Sequence, residues 1–285
     1  MTNSTQLPKN ISESVRIALD EDIGNGDITA NLIPEKTRIN AHVICRENAV
    51  ICGIPWFNAV FEQLGKNVTI EWLINDGEKV KPDQELCRLQ GSARSILSGE
   101  RCALNFLQTL SATATLTNKF VSKITHTQTQ ILDTRKTIPG LRDAQKYAVL
   151  CGGGKNHRKG LYDGILIKEN HISAAGSIQN AVNQARLQNK DMPIEVEVET
   201  LGELKQALNA KADIMLLDNM DKQMLKQAVA INQHQAKLEA SGNVSLETIV
   251  GIAETGVDFI SIGTLTKNIH AIDLSMRVDS SINPE

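Results

Sequence analysis

The chain has 285 residues, 41% of them apolar, and its 33 acidic residues against 30 Lys and Arg leave a formal net charge of −3. That is enough apolar material for a real core in one large or two ordinary domains, while the small charge and 3% aromatic content exclude a nucleic-acid groove. No segment approaches the roughly 20 apolar residues of a membrane span, and the opening MTNSTQLPKN lacks the basic-then-apolar order of a secretory signal, so a cytoplasmic protein is expected. Cys45, Cys52, Cys87, Cys102 and Cys151 are odd in number and contain no C-x-x-C pair, which fits reduced thiols.

In chain order, residues 10–20 are helical by period, with Ile11, Val15, Ala18 and Leu19 on one face. DEDIGNGDIT (20–29) resembles a calcium loop only in its acids. Asn25 stands where that loop needs glycine and Asn31 where it needs Glu, so a turn-rich connector is expected. Residues 41–53 and 68–80 alternate as strands, with NDGE as a turn signal. Residues 93–124 read as helix, in one element or two with a break near Ser111–Thr115.

From about residue 125 the rhythm changes. TQILDT, GILIK, PIEVEVE, ADIMLLD, QAKLEA and DFISIG are short apolar strands separated by helix-length connections. Six such strands predict a parallel βα series, an α/β fold. Leu141, Ala144, Ala148 and Cys151 form one stripe of a helix that stops at glycine. Thr200 and Glu203 have the spacing of a capping box.

Chemistry in a βα barrel sits at the C-terminal strand ends. Those ends carry Asp133, Arg135 and Lys136, then Lys168, Glu197 and Glu199, Asp218, Glu239 and Ser241, and Ser261 and Gly263. In PIEVEVE the parity puts Ile194, Val196 and Val198 on one face and Glu195, Glu197 and Glu199 on the other. The three glutamates are expected to line the interior, where carboxylates need cations or a metal. Glu197 and Asp218 fit a structural pair partnered by Lys168, or contacts to Mg²⁺ or ribose hydroxyls. ASGN (240–243) and SIGT (261–264) fit tight βα turns or a phosphate cradle.

Charge is concentrated in one place. From Arg135 to Lys168 there are eight Lys or Arg and only Asp143 and Asp163 against them, so this window carries +6 and the remainder −9. That predicts a site for a small anion. CGGGKNHRKG (151–160) is not a Walker A motif, because Val149 and Asn156 stand at its required positions, and His157 breaks G-x-G-x-x-G. Read by itself it is a helix C-cap followed by a solvated loop. The histidines show no i, i+4 pair and no H-E-x-x-H, so no zinc site is expected.

The strings EDIGNGDIT, SGERCALNFLQTLSATATLT, LDTRKTIPGLR, GGGKNHRKGLYDGILIKENHI, IEVEVET, IMLLDNM, EASGNV and SIGTLT resemble, in this order and over nearly the whole chain, the quinolinate phosphoribosyltransferase family. The resemblance implies an incomplete βα barrel of about six parallel strands (113–270) with an N-terminal α/β sandwich domain (1–112). It also implies a C-terminal segment (271–285) that returns to the sandwich. It implies quinolinate and 5-phosphoribosyl 1-diphosphate as substrates, Mg²⁺ as cofactor, and nicotinate mononucleotide, diphosphate and CO₂ as products, at the entry to NAD by the de novo route. It further implies a homodimer with shared active sites, higher assembly being left open, and no nucleic-acid or membrane partner.

By position, Arg135, His157 and Arg158 resemble the quinolinate clamp, helped by Arg101 of the partner subunit. Thr134 resembles a further substrate contact, and Lys136 and Lys168 resemble groups contacting quinolinate or the diphosphate. Glu197 and Asp218 resemble the ribose and Mg²⁺ partners, the metal being held also through the substrate diphosphate. Lys136, Glu197 and Asp218 are the expected catalytic residues. Ser241, Gly242, Ser261 and Gly263 resemble the 5-phosphate cradle. Arg forks suit carboxylates and Lys suits phosphate. Rival readings are a nicotinate phosphoribosyltransferase or molybdate-transport relative of the same fold family, and a non-catalytic sugar-phosphate-binding protein.

Overall fold

Ile11, Val15, Ala18 and Leu19 recur at helical spacing, and the chain there forms α1 (Ile11–Ile23) with Val15 and Leu19 buried. The computed structural model describes residues 7–279, which divide into two units. The first takes the chain up to Asn118, then Ile138–Gly153, then the described residues from Asn268.

After α1 come β1 (Arg38–Cys45), β2 (Ala49–Val50), α2 (Ile54–Gln63), β3 (Val68–Trp72), β4 (Lys79–Val80), β5 (Gln84–Ser92) and α3 (Ala93–Lys123). α4 (Arg142–Cys151) and β12 (Leu274–Val278) complete this unit. Its antiparallel sheet has the order β12-β1-β5-β3, and β12 lies in register on β1 with Ala41 opposite Val278. Trp56, Phe57 and Phe61 of α2 and Leu104, Leu107 and Leu110 of α3 are buried in its core.

Several predicted boundaries move. The stretches 41–53 and 68–80 each break into a strand and a two-residue piece, and the pieces pair with each other as β2 and β4. α2 and β5 are not among the predicted elements. α3 runs unbroken through Ser111–Thr115. The hydroxyls there do not compete for the helix's own backbone: Ser111 accepts the Cys52 N–H at 2.9 Å and Thr115 the Val50 N–H at 2.8 Å. Glycine after α4 has a packing cause. A Cβ on Gly152 would stand 2.5 Å from the Ala114 carbonyl oxygen, and Gly153 has φ +88°.

The second unit holds Lys119–Thr137 and Gly154–Lys267. It runs β6 (Gln130–Leu132), β7 (Ile165–Ile167), α5 (Glu169–Ala175), α6 (Ile178–Gln188), β8 (Ile194–Val198), α7 (Leu201–Asn209), β9 (Ile214–Asp218), α8 (Lys222–Asn232), β10 (Lys237–Ser241), α9 (Ile249–Ala253), β11 (Phe259–Ser261) and α10 (Thr264–Lys267). Six parallel strands stand in the order β6-β11-β10-β9-β8-β7.

Lys155 bridges to Leu132 beyond β6, its N–H donating to the Ile131 carbonyl at 2.8 Å. The row curls: His157, just past that bridge, reaches Glu195 on β8 at 2.8 Å. The strand rhythm's parallel βα series is thus present, with a seam between the Lys155 bridge and β7, as in the incomplete βα barrel that the family resemblance implies. Thr200 and Glu203 form the predicted capping box of α7. Glu199 does not line the interior with its two neighbours. It lies past the end of β8, exposed, with its N–H donating to the Glu203 carboxylate at 2.8 Å.

All five cysteines are free thiols, and among the described residues no helix is long and apolar enough to cross a membrane.

Candidate active site

Parallel strands present their C-terminal ends on one side, so residues far apart in sequence meet there. Lys136 follows β6, Lys168 caps α5 after β7, Glu197 lies near the end of β8, and Asp218 ends β9. Ser241 ends β10, and Ser261 ends β11 two residues before Gly263. At this rim the Lys168 ammonium donates to the Glu197 carboxylate. Lys168 is 46% exposed and Glu197 17%.

Burial pushes the Asp218 carboxyl up from its ordinary range, and the charge of Glu197 pushes further. Lys168, Lys136 and the Asn219 side chain oppose them, the last donating to Asp218 at 2.7 Å. Two anions are thus held side by side with two ammonium groups in electrostatic range.

Two glycines let the backbone close on this rim. Gly242 has φ +100°, and a Cβ there would stand 2.1 Å from Asn219 Oδ1. Asn219 itself is left-handed (φ 54°), and its N–H donates to the Ser241 carbonyl at 2.9 Å. A Cβ on Gly263 would stand 2.9 Å from Lys136 Cδ, so the lysine stem lies across that glycine. The Lys136 N–H donates to Thr134 Oγ1 at 3.0 Å, and its carbonyl accepts from the buried Thr266 hydroxyl at 2.8 Å. Thr134 and Thr266 therefore fix the backbone from which Lys136 projects.

Below the rim lies a buried floor. Asp133 accepts the Asn156 side-chain N–H at 2.6 Å and the His157 backbone N–H at 2.9 Å. His157 Nε2 lies 2.8 Å from Glu195 and 3.7 Å from Glu239, whose residues are 4% and 1% exposed. Burial pushes the Glu239 carboxyl up to about 8, with Glu195 adding to the push and His157 and the Ser261 hydroxyl opposing it. Two buried carboxylates this close together disfavour each other's ionisation.

Arg158 donates to the Gly164 carbonyl at 3.1 Å. Burial, then the neighbouring Arg135 guanidinium, holds its proton affinity below the ordinary arginine range. Like-charged guanidiniums held in range of each other favour an anion between or beside them.

The structure thus brings Thr134, Lys136, Lys168, Glu197, Asp218, Ser241, Gly242, Ser261 and Gly263 to the strand ends, with Arg135 and Arg158 as neighbours. His157 stands with the floor, its ring turned to Glu195. Arg101 belongs to α3 in the first unit, with its side chain 60% exposed and 3.6 Å from Glu100. Asn156, Asn219, Thr266 and the pairing of Glu195 with Glu239 were not predicted. Asn219 directly follows Asp218 and is of a type that tolerates positive φ; nothing local in the sequence marks Thr266.

Among the described residues two groups have metal-ligating atoms close together: His157, Glu195 and Glu239, and Cys52, Asp76 and Cys151. In the first the imidazole and carboxyls pair with one another. A concavity on the first unit's sheet is lined by His42, Glu71, Glu85, Arg88 and Asp279 among others and holds no predicted site residue.

Comparison with known proteins agrees along the chain. Residues 27–111 match the model of the quinolinate phosphoribosyl transferase N-terminal domain, and residues 113–277 that of its C-terminal domain. A Nicotiana tabacum protein named quinolinate phosphoribosyltransferase (decarboxylating) 2b, mitochondrial, is 41% identical over 293 residues, spanning 95% of this chain and 83% of that one. The probable nicotinate-nucleotide pyrophosphorylase (carboxylating) of Bacillus subtilis is 40% identical over 262 residues, spanning 92% of this chain and 91% of its own. The structure of the nicotinate-nucleotide pyrophosphorylase from Francisella tularensis superposes with a TM-score of 0.95 at 50% identity, covering 98% of this chain and 100% of that one. Matched by both domain models and by relatives over nearly its full length, the chain belongs to the quinolinate phosphoribosyltransferase family.

Proposed function

We propose that the chain transfers the phosphoribosyl group of 5-phosphoribosyl 1-diphosphate to quinolinate, with loss of CO₂, giving nicotinate mononucleotide and diphosphate for NAD synthesis. Beyond family membership, the observation that carries this reading is the rim where Lys168 meets Glu197 and where Lys136 and Lys168 both act on Asp218. A sugar diphosphate and a pyridine dicarboxylate together bring many negative charges to a reaction that develops positive charge at one carbon. Cations beside paired carboxylates suit both demands.

In this reading Arg135 and Arg158 grip the quinolinate carboxylates, with His157 and Arg101 of the partner subunit completing the clamp. Lys136 and Lys168 hold diphosphate or carboxylate oxygens, and Thr134 fixes the approach of Lys136. Ser241, Gly242, Ser261 and Gly263 offer backbone N–H groups and hydroxyls to the 5-phosphate. As the C1–diphosphate bond loosens, the ribosyl carbon becomes oxocarbenium-like, and the fixed charges of Glu197 and Asp218 stabilise it without reorganising. The pyridine nitrogen, oriented by the cationic clamp, then forms the new bond to C1. Its positive charge eases loss of the adjacent carboxylate as CO₂, and the carbanion left beside the ring nitrogen takes a proton.

Mg²⁺ fits this rim. Hard divalent cations favour carboxylate oxygens, and Asp218 beside Glu197 is a pair whose mutual repulsion a cation would relieve. Glu197 and Asp218 would hold it together with the substrate diphosphate. Bound there, the ion would neutralise charge on the leaving diphosphate. A homodimer with shared sites and a cytoplasmic location go with this reading.

The test is substrate choice. Purified protein is given quinolinate or nicotinate with the sugar diphosphate and Mg²⁺, and mononucleotide and CO₂ are followed. Two adjacent carboxylates can use separate cationic contacts while nicotinate fills only one set, so quinolinate is expected to be used far better. Equal catalytic efficiency on both acids would sink the assignment, and turnover of neither would favour a sugar-phosphate-binding role.

A further inference from the structure

Three side chains that the proposed reaction does not use meet in the first unit. Cys52 stands just before α2, Asp76 in the turn before β4, and Cys151 at the end of α4. Their two sulfurs and a carboxylate oxygen all lie within 4.8 Å of one another. Cys52 is fully buried, while Cys151 is partly open.

The frame around them is fixed. The Ser111 hydroxyl takes the Cys52 N–H at 2.9 Å and faces the Cys52 carbonyl at 3.2 Å. Asp76 Oδ1 accepts the Gly53 and Ile54 N–H groups at 3.0 and 3.1 Å, and Oδ2 accepts the Tyr147 hydroxyl at 2.9 Å. Gly152, next to Cys151, has no room for even a Cβ. A tetrahedral metal would need a fourth ligand and a free share of Asp76, which already accepts three hydrogen bonds. A disulfide needs only the two sulfurs, and these are already neighbours.

We propose that Cys52 and Cys151 form an oxidisable dithiol, closed to a disulfide by a peroxide and reopened by a thiol reductant. Cys151 is the entry point because it is partly exposed. Burial pushes the Cys52 thiol well above its ordinary range, which keeps it from reacting first. The Cys151 sulfur attacks a peroxide oxygen, the O–O bond breaks, and water leaves a sulfenic acid behind. The Cys52 sulfur then attacks the Cys151 sulfur. The S–S bond forms, the S–O bond breaks, and the departing hydroxide becomes water with the Cys52 proton, relayed by the Asp76 carboxylate. Two thiols are oxidised, one hydrogen peroxide is reduced, and two waters are released.

The experiment uses the full chain, reduced and then treated with hydrogen peroxide. Free thiols are blocked and the digest is mapped by mass without reductant. The expected map contains a crosslinked pair of peptides bearing Cys52 and Cys151, lighter by two hydrogens than the separate peptides and split by dithiothreitol. Because the link closes a loop of about 100 residues, the oxidised protein should melt several degrees above the reduced one. That gain should vanish in Cys52→Ser. If Cys52→Ser does not fold, Cys151→Ser, at the more open position, gives the same readout. A map without the Cys52–Cys151 pair overturns the proposal, whether Cys151 carries a sulfinate with Cys52 still free, another cysteine is the partner, or both thiols stay reduced. Stoichiometric zinc in the purified protein, lost from both serine variants, overturns it too.

Discussion

Glu195 and Glu197 stand two residues apart on one face of β8, and they are balanced by different means. Glu195 is on the floor, buried, 2.8 Å from His157 and beside the raised carboxyl of Glu239. Glu197 is at the rim, met by the long and half-exposed Lys168 and repelling Asp218. One step of the β pleat separates a charge the protein balances internally from one left with a mobile partner. A lysine stem can swing, and water or an incoming cation can replace it. An imidazole held by its own backbone N–H to Asp133 is not so free. Depth along one strand thus separates a glutamate tied to a ring the backbone holds from one whose partner can leave, although the residue type is the same.

That contrast can be tested at the rim first, where effects are largest. Lys136→Ala at the rim, and Arg101→Ala on α3 of the first unit, are each expected to be nearly inactive, through loss of a charge-assisted contact to a multiply charged ligand. If Arg101 serves the partner's site, mixing and re-forming the two variants should restore about a quarter of wild-type activity in a statistical mixture of dimers. No recovery, with mixed dimers confirmed by mass, would confine Arg101 to its own subunit. Next, Glu197→Gln and Asp218→Asn keep shape and remove charge. Turnover of at least one should fall by about 10²-fold or more, with the quinolinate dissociation constant little changed. Near-normal turnover in both would return the pair to a structural role.

Floor variants should act on stability instead. Glu195→Ala removes the nearest partner of a buried imidazole and leaves a cavity, so denaturant unfolding at pH 7 should show a loss of about 3 kcal/mol. A loss no larger than at an exposed site would erase the distinction between floor and rim. A pH-dependent effect is expected at Glu239. Its carboxyl is raised in the fold from 4.5 to about 8, so its contribution to stability is full below about pH 4.5 and lost as pH rises through 8. Relative to Glu239→Gln, the wild type should lose stability as pH rises across that window. Parallel pH profiles would mean that Glu239 does not carry the proton.

Much of this arrangement is legible in the sequence because it depends on local pattern. Strand rhythm, the parity of PIEVEVE and the Thr200–Glu203 cap follow from near neighbours. So does the reading of Lys136, Lys168, Glu197 and Asp218 as strand-end groups. The rest depends on contacts that no window spans. Asp133 is held by Asn156 across the excursion through α4, and Thr266, 130 residues further along the chain, reaches the Lys136 carbonyl from α10. Glu199 continues the alternation of β8, but the cap of α7 ends the strand before it. The glycines of CGGGKNHRKG read locally as a helix C-cap, and Gly152 is the C-cap of α4, but its lack of room for a Cβ comes from a neighbouring helix within the first unit. The unbroken α3 is likewise set by backbone N–H groups near residue 50 that draw off its Ser and Thr hydroxyls.

Both sheets are completed by the last strands of the chain. β11 joins β6, with Phe259 opposite Gln130, and β12 covers the outer edge of β1, with Val278 opposite Ala41. A ribosome synthesises the chain from the other end, so β1 and β6 emerge long before their partners exist. β6 waits until about residue 261 has left the exit tunnel and the edge of β1 until about residue 278, and each open edge is the kind of surface that recruits a neighbouring chain. Loss of β12 alone would reopen the edge of β1 and leave β11 in place on β6. Each sheet is therefore closed by a late strand of its own, the parallel one before the antiparallel one.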